Sequence, residues 1–443
     1  MISRRPLLVA FLACVLTLAG CGGGGGSGGC SLPEQKSWLQ SYMDDWYFWY
    51  ALRAHPDPAD SAFDTIGKFF DALLYPGTSP DFPKDRWSFS QTTESFDQFF
   101  GAGQTLGYGI FVARLEVMNQ PDAPLRVRYV EPASPAAGLV QRGETLVSID
   151  GRSSSELIAA DDFSALTPAH AGDVLNLVVR NAAGVERSVA VTAAVFALTP
   201  VSVSTTLATP AGTKVGYVVL KDFVSQASAP LDAAFAQFKA AGVHELVLDL
   251  RYNGGGLIST ADDLASEVVA PSAAGQTFAT LTYNDKHQAS DTTWRFAAKT
   301  SALGVSRLYL LTGQRTCSAS ELVVNGLAPY VQVVQVGDTT CGKPVGFLPQ
   351  DHCGTTFSAV NFESRNAAGV GRYWNGLVPT CPAADDLDHA LGDPAERLTA
   401  TALAHVDTGS CPATAAALET PQRLRAARRA FDEGDRPAGM IDR

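Results

Sequence analysis

Residues 316–321 read TCSASE, and Lys343 follows Ser318 by 25 positions in the run CGKPVG, 341–346. A serine hydroxyl and a lysine amine can together attack an acyl carbon, provided the amine is uncharged. Free lysine has a pKa near ~10.4 and holds almost no neutral amine at neutral pH. Burial disfavours the ammonium and lowers that value, after which the amine can take the proton from a serine. Developing oxyanion charge also needs donors. Ser318 falls where an apolar strand pattern gives way to an apolar helix pattern. That places the Ala319 amide at a helix N-terminus, where the dipole favours negative charge. A second donor is offered by the glycine turn NGGG, Asn253–Gly256, whose residues allow close approach and unusual dihedrals.

Other readings of the same residues compete. SASE, 318–321, fits a capping box, [ST]-x-x-[DE], ahead of a helix. Gly337–Lys343 spells GxxxxGK, but Pro344 stands where a phosphate-binding loop needs a magnesium-holding hydroxyl. There is no GxSxG elbow, no CxxC and no HExxH, and the seven histidines are scattered singly. No metal or other cofactor is expected.

These residues need a scaffold. From about residue 213, apolar strands alternate with helices: KVGYVVLKDF, APLDAAFAQFKAAG, VHELVLDLRYNGGG, STADDLASEVV, RLYLLTG, SASELVVNGLAPY and VQVVQVG. Apolar strands separated by helices predict an α/β domain with a largely parallel sheet, whose chemistry gathers at the carboxyl ends of the strands. YNGGG, TCSAS and TTCGK all fall at such ends. Residues 104–198 switch to short alternating strands with Gly, Asn and Asp at the turns. Residues 33–103 are aromatic-rich with helical spacing. The stretch 411–443 is charged and reads as a solvated helix and frayed tail.

Two resemblances follow from these motifs. GYGI, with ASPAAGLVQRGETLVSIDG after it, resembles a PDZ domain. That implies a carboxylate-binding loop at Leu106, Gly107, Tyr108, Gly109 and Ile110, whose amides meet a peptide terminus while an edge strand accepts the peptide. LVLDLRYNGGG, TCSASELV and GKPVG, in this order after it, resemble the tail-specific, or C-terminal processing, proteases of family S41. The resemblance implies a ClpP/crotonase-like α/β core, Ser318 as nucleophile, Lys343 as general base, and the amides of Gly256 and Ala319 as the oxyanion hole. The family pattern carries a glutamine four residues after the lysine. Here that position is Phe347, and Pro344 replaces a glycine.

The N-terminus reads as an address. MISRR and the apolar run after it form a signal peptide, 1–20, ending in the lipobox Leu18-Ala-Gly-Cys21. Cys21 is the expected lipidation site, and 21–32 a glycine-rich tether. The expected setting is the bacterial cell envelope, lipid-anchored and facing the periplasm, with the outer membrane favoured because Gly22 replaces a retention aspartate. A net charge of −12 argues against nucleic acid and against adhesion to anionic lipid other than through the anchor. Six cysteines remain after Cys14 and Cys21, an even number that suggests disulfides in an oxidising compartment. Cys317 and Cys341 flank the candidate serine and lysine, so their pairing is expected to brace them; Cys341–Cys353 is the rival.

The expected order is then signal peptide 1–20, tether 21–32, helical region 33–103, PDZ domain 104–198, protease core 199–410 and charged tail 411–443. The expected activity is serine endopeptidase cleavage of proteins or peptides held by their C-terminus. The competing expectation, favoured by Phe347, is a catalytically silent peptide-binding lipoprotein on the same fold.

Overall fold

The computed structural model describes residues 29–113, 125–160, 162–413 and 439–442. The expected signal peptide, Cys21 and most of the tether lie outside the described residues, as does 414–438 of the charged stretch. Among the described residues no helix is long and apolar enough to cross a membrane.

Strands Lys214–Leu220, Glu245–Asp249, Arg307–Thr312 and Gln332–Gly337 run parallel in one six-stranded sheet. Val201–Ala208 is antiparallel at one edge, and Cys381–Pro382 closes the other. Successive side chains of a strand point to opposite faces. Val218, Leu220, Leu246 and Leu308 therefore meet helices Ser228–Ala240, Ile258–Val268 and Ala319–Leu327 on one face. Tyr217, Val219, Val247 and Tyr309 meet helix Arg397–Thr408 on the other. Covering both faces explains why these strands read as unbroken apolar runs.

A second sheet crosses the site. Its order is Gly255–Leu257, Gly439–Ile441, Val345–Phe347, Val360–Arg365, Thr277–Tyr283, Thr292–Arg295. Two expectations change here. The run from Val243 through the glycines is not one strand: Glu245–Asp249 ends, the chain turns, and Gly255–Leu257 starts in the other sheet. Residues 439–442 are not a frayed tail, because Met440 and Ile441 are fully buried within that sheet.

The N-terminal region is less helical than its spacing suggests. Helices cover Leu32–Asp45 and Ile66–Leu73. The aromatic run after Asp45 leaves the helix, with Tyr47 and Trp49 buried and Trp46, Phe48 and Tyr50 half-buried between them. Consecutive aromatics that must all be shielded need two faces, and a helix offers one stripe. They join Leu39, Met43, Phe69, Tyr75 and Trp87 in a cluster that also holds Leu257, Val345 and Phe347 of the core.

Residues 104–197 form a β unit with sheet order Ile110–Ala113, Leu125–Val130, Thr145–Ile149, Val174–Arg180, Glu186–Thr192, plus a pair made by Gln104–Gly107 and Ala194–Ala197. The segment ASPAAGLV makes turns and an isolated bridge, Ala137 with Val140, and no helix. Gly138, at φ +76°, takes the left-handed conformation that interrupts a helix there. Arg142 docks this unit on the core, donating to Tyr252 Oη at 2.6 Å and to the Asp386 carbonyl at 2.7 Å.

Arg251 ties the sheet to the last helix. Its guanidinium donates to Glu396 at 2.7 and 2.8 Å, to Asp249 at 2.9 and 3.0 Å, and to Asp385 at 3.0 Å. Glu396 also caps helix Arg397–Thr408 through the Thr399 amide. Breaking a buried charge cluster strands its partners at a cost of ~3–5 kcal/mol. Arg251→Met is expected to lose about that much in urea unfolding, and a loss below ~0.5 kcal/mol contradicts the role given to this cluster.

Candidate active site

Ser318 precedes helix Ala319–Leu327 at φ 63°, ψ −114°, a conformation that only a few per cent of non-glycine residues adopt and that marks functional turns. The nucleophile candidate is thus on a strained strand-to-helix turn although the chain lacks a GxSxG elbow. As first residue of its helix, Ala319 has no intrahelical acceptor for its N–H.

The turn is stitched to its neighbours. Cys317 N donates to the Asn253 carbonyl at 3.1 Å, and Ser320 Oγ to the same oxygen at 3.0 Å. Thr316 Oγ1 donates to the Leu250 carbonyl at 2.8 Å, and Cys341 N to the Thr316 carbonyl at 3.0 Å. The glycine turn is set by the Asn253 side chain, which accepts from Gly255 N at 2.7 Å and donates to the Leu220 carbonyl at 2.9 Å. Gly255 and Gly256 have φ of +102° and +141°. A Cβ on Gly255 would lie 2.9 Å from Ala319 N, so the glycine turn and the helix N-terminus are directly apposed.

Glu321 joins the two halves of the site. Its carboxylate, fully buried, accepts from Ser318 N at 2.9 Å, Gly342 N at 2.8 Å, Lys343 N at 2.8 Å and the Thr340 hydroxyl. Of the capping box read from the sequence, the half in which Glu321 accepts from the Ser318 amide is formed; the Ser318 hydroxyl itself is buried without a hydrogen-bond partner. Burial pushes the Glu321 carboxyl above its ordinary value, against the pull of these donors. Cys317 and Cys341 are disulfide-bonded, with Cα atoms 5.2 Å apart, and brace the same two loops. Cys30–Cys353 and Cys381–Cys411 are the other pairs, which spacing alone left open.

Lys343 is fully buried. Desolvation holds its amine well below the usual lysine range, while Asp85 and Glu321 pull the other way. Its Nζ lies 3.7 Å from the centroid of the Phe347 ring. The ring therefore fills the space beside the amine and dries it. In the β unit, Tyr108 and Ile110 are buried and Gly109 sits at φ +80°, where a Cβ would collide with Ser134. Leu106 and Gly107 end the preceding strand, Gln104–Gly107. Ile110–Ala113 is the terminal strand of its sheet among the described residues.

The sequence profile of peptidase family S41 matches residues 214–351, and that of the peptidase S41 N-terminal domain matches residues 34–89. Residues 34–89 and 214–351 thus carry peptidase family S41 domains. The carboxyl-terminal-processing protease of Picosynechococcus sp. is 27% identical over 314 residues, spanning 69% of this chain and 70% of its own. The enzyme of the same name from Synechocystis sp. is 27% identical over 328 residues, spanning 70% and 71%. A crystal structure assigned to an S41 protease of Bacteroides fragilis is similar with a TM-score of 0.65 and 25% identity, covering 84% of this chain and 97% of that one. The photosystem II D1 C-terminal processing protease shares the fold, with a TM-score of 0.51 and 21% identity over 80% and 93%.

Two contributors escaped sequence reasoning. Glu321 was visible only as a cap, since its reach to Gly342 and Lys343 depends on neighbouring parallel strands. Asp85 lies in the N-terminal region, far along the chain from Lys343, and no local pattern marks it. Glu321→Gln replaces one acceptor oxygen with an NH2 group, which then opposes either the Gly342 amide or the Ser318 and Lys343 amides, donor against donor. It is expected to lower kcat by ~10²–10³, the scale of losing one oxyanion donor, with KM little changed; wild-type kcat contradicts the clamp.

The sign of the Lys343 effect is also testable. Its folded pKa lies below the unfolded ~10.4, so between the two values the unfolded chain binds more protons and stability rises with pH. Lys343→Met removes that slope. The variant is expected to be more stable than wild type at neutral pH, with the advantage shrinking as pH approaches ~10.4. Parallel urea midpoints across pH contradict a buried, depressed amine.

Proposed function

We propose that this chain is a serine endopeptidase in which Ser318 is the nucleophile and Lys343 the general base. The observation that carries the reading is the buried, pKa-depressed amine of Lys343 in a pocket whose backbone is clamped to Ser318 by one carboxylate. The neutral amine takes the Ser318 proton as Oγ bonds to the scissile carbonyl carbon. Negative charge on the carbonyl oxygen is met by the amides of Ala319 and Gly256. The lysine then gives its proton to the leaving nitrogen, and water releases the acyl group by the reverse sequence. No metal or other cofactor enters these steps.

Its substrates are proteins or peptides, recruited through a C-terminus by the PDZ-like unit. The position of Ile110–Ala113 at one end of its sheet among the described residues, beside the Leu106–Ile110 loop, supports that mode, because a terminal strand can accept an added one. The relatives' names as carboxyl-terminal-processing proteases support it as well. A lipid anchor at Cys21 and a periplasm-facing place in the cell envelope complete the proposal; three disulfides among the described residues fit an oxidising compartment.

A catalytically silent peptide binder is the second reading, favoured by Phe347 beside the amine and by the unpaired Ser318 hydroxyl. The mature chain carrying Cys21→Ser, assayed on unfolded casein and on peptides with apolar C-termini, separates the two. Cleavage is expected from it and is expected to fall at least ~10³-fold in Ser318→Ala and Lys343→Ala. Tight peptide binding without cleavage establishes the binder instead. The rate is expected to rise with pH along a limb well below ~10.4; a rate flat from pH 5 to 9 rejects Lys343 as base.

A further inference from the structure

Strand Gly439–Ile441 lies between the two strands that carry the site. It is parallel to Gly255–Leu257 on one side and to Val345–Phe347 on the other. Gly439 N donates to the Gly254 carbonyl at 3.1 Å, and Asp442 N to the Phe347 carbonyl at 3.1 Å. In a parallel ladder with Gly255 paired to Gly439, the next bond of the alternation directs the Gly256 amide at the Gly439 carbonyl oxygen. The same oxygen crowds the point beside Gly255 that lies 2.9 Å from Ala319 N. A carbonyl of the chain itself is thus set among the two amides assigned to the oxyanion.

Both walls of this slot are held from their far sides. Phe223 N donates to the Gly255 carbonyl at 3.0 Å, and Leu257 N to the Phe223 carbonyl at 2.7 Å. Val345–Phe347 is paired with Val360–Arg365. Neither wall needs the middle strand to stay in place. Removing it leaves a gap one strand wide, since neighbouring strands lie ~4.8 Å apart. Ser318 and Lys343 are both at 0% exposure, so no substrate reaches them in this arrangement.

We propose that Gly439–Ile441 is a pseudo-substrate held in cis, occupying the slot in which a peptide substrate's extended backbone lies, with the Gly439 carbonyl in the oxyanion hole. This rests on the Ser318–Lys343 peptidase reading. The occupant also describes the substrate class. A Cβ at Gly439 would meet nothing closer than Ile441 Cδ1 at 3.4 Å, ordinary contact, so a small residue such as alanine fits at the hole. Met440 joins the apolar cluster of Phe278, Leu281 and Phe362, and Ile441 the opposite one of Leu257, Val345 and Phe347. The slot selects a small residue followed by two apolar ones.

Two measurements test this. Met440→Asp/Ile441→Asp puts charges into both apolar clusters and expels the strand. Its kcat/KM on an Ala-Met-Ile-containing peptide is expected to exceed wild type at least tenfold, and a cooperatively folded variant at or below the wild-type rate overturns the proposal. The second needs no turnover and covers a variant that does not fold. In Ser318→Ala, hydrogen exchange at the 439 and 442 amides is expected to accelerate at least tenfold when that peptide is bound to saturation by calorimetry. Unchanged protection at saturation overturns the proposal. Loss of protection without cleavage by any active form instead sinks the peptidase reading and leaves the displaced strand as inferred.

Discussion

One buried carboxylate governs this site. Glu321 has been taken out of water completely, which is tolerable only because each of its lone-pair directions finds a donor. Those donors come from both candidate loops: the amide of Ser318, and the amides of Gly342 and Lys343. The loop after strand Arg307–Thr312 and the loop after strand Gln332–Gly337 cannot separate without stranding a charge in a dry interior. The Cys317–Cys341 bond spans the same gap covalently. The dihedrals of Ser318 are disfavoured in isolation, and they persist because this surrounding network over-determines them.

The dryness comes from elsewhere in the chain. Lys343 is shielded by Phe347, which itself packs in the cluster that Tyr47, Trp49, Phe69 and Trp87 bring from the N-terminal region. A hydrogen-bonding side chain next to the amine would orient it; a ring desolvates it. Both favour a usable base, through different physics, and the ring does so without fixing the direction of the amine. Asp85 and Glu321 work against desolvation, so the amine's proton affinity is a balance between burial and two acidic side chains, one of them from the N-terminal region. The N-terminal region thus reaches the candidate site through the charge of Asp85 on Lys343.

What could be read in advance divides along range. The central parallel strands were legible because covering both faces writes continuous apolar runs, and the loops at their carboxyl ends follow from topology. Ser318, Ala319 and the glycine turn were legible as a set because order and spacing constrain them jointly. The break after Asp249 was not, since Leu250 to Leu257 is as apolar and glycine-rich as a strand end would be, and only the second sheet says where it goes. The departure of residues 46–53 from helix was hidden for the opposite reason: aromatic density satisfies a helical pattern and a two-faced irregular one equally well. Gly439–Met440–Ile441 is three residues beside a charged stretch, too short to carry any period.

The two sheets carry different burdens. The parallel sheet, with Arg251 locking the end of an interior strand to helix Arg397–Thr408, is a rigid base that holds the serine, the lysine and the first glycine of the turn. The second sheet's ladder runs through the candidate site rather than beneath it. A sheet strand can be exchanged for another of similar shape at little net cost, because backbone hydrogen bonds are nearly independent of sequence and only the side-chain pockets discriminate. Building the site on a ladder therefore makes peptide backbone the natural ligand, and it makes any strand the chain itself can supply a competitor for the same place.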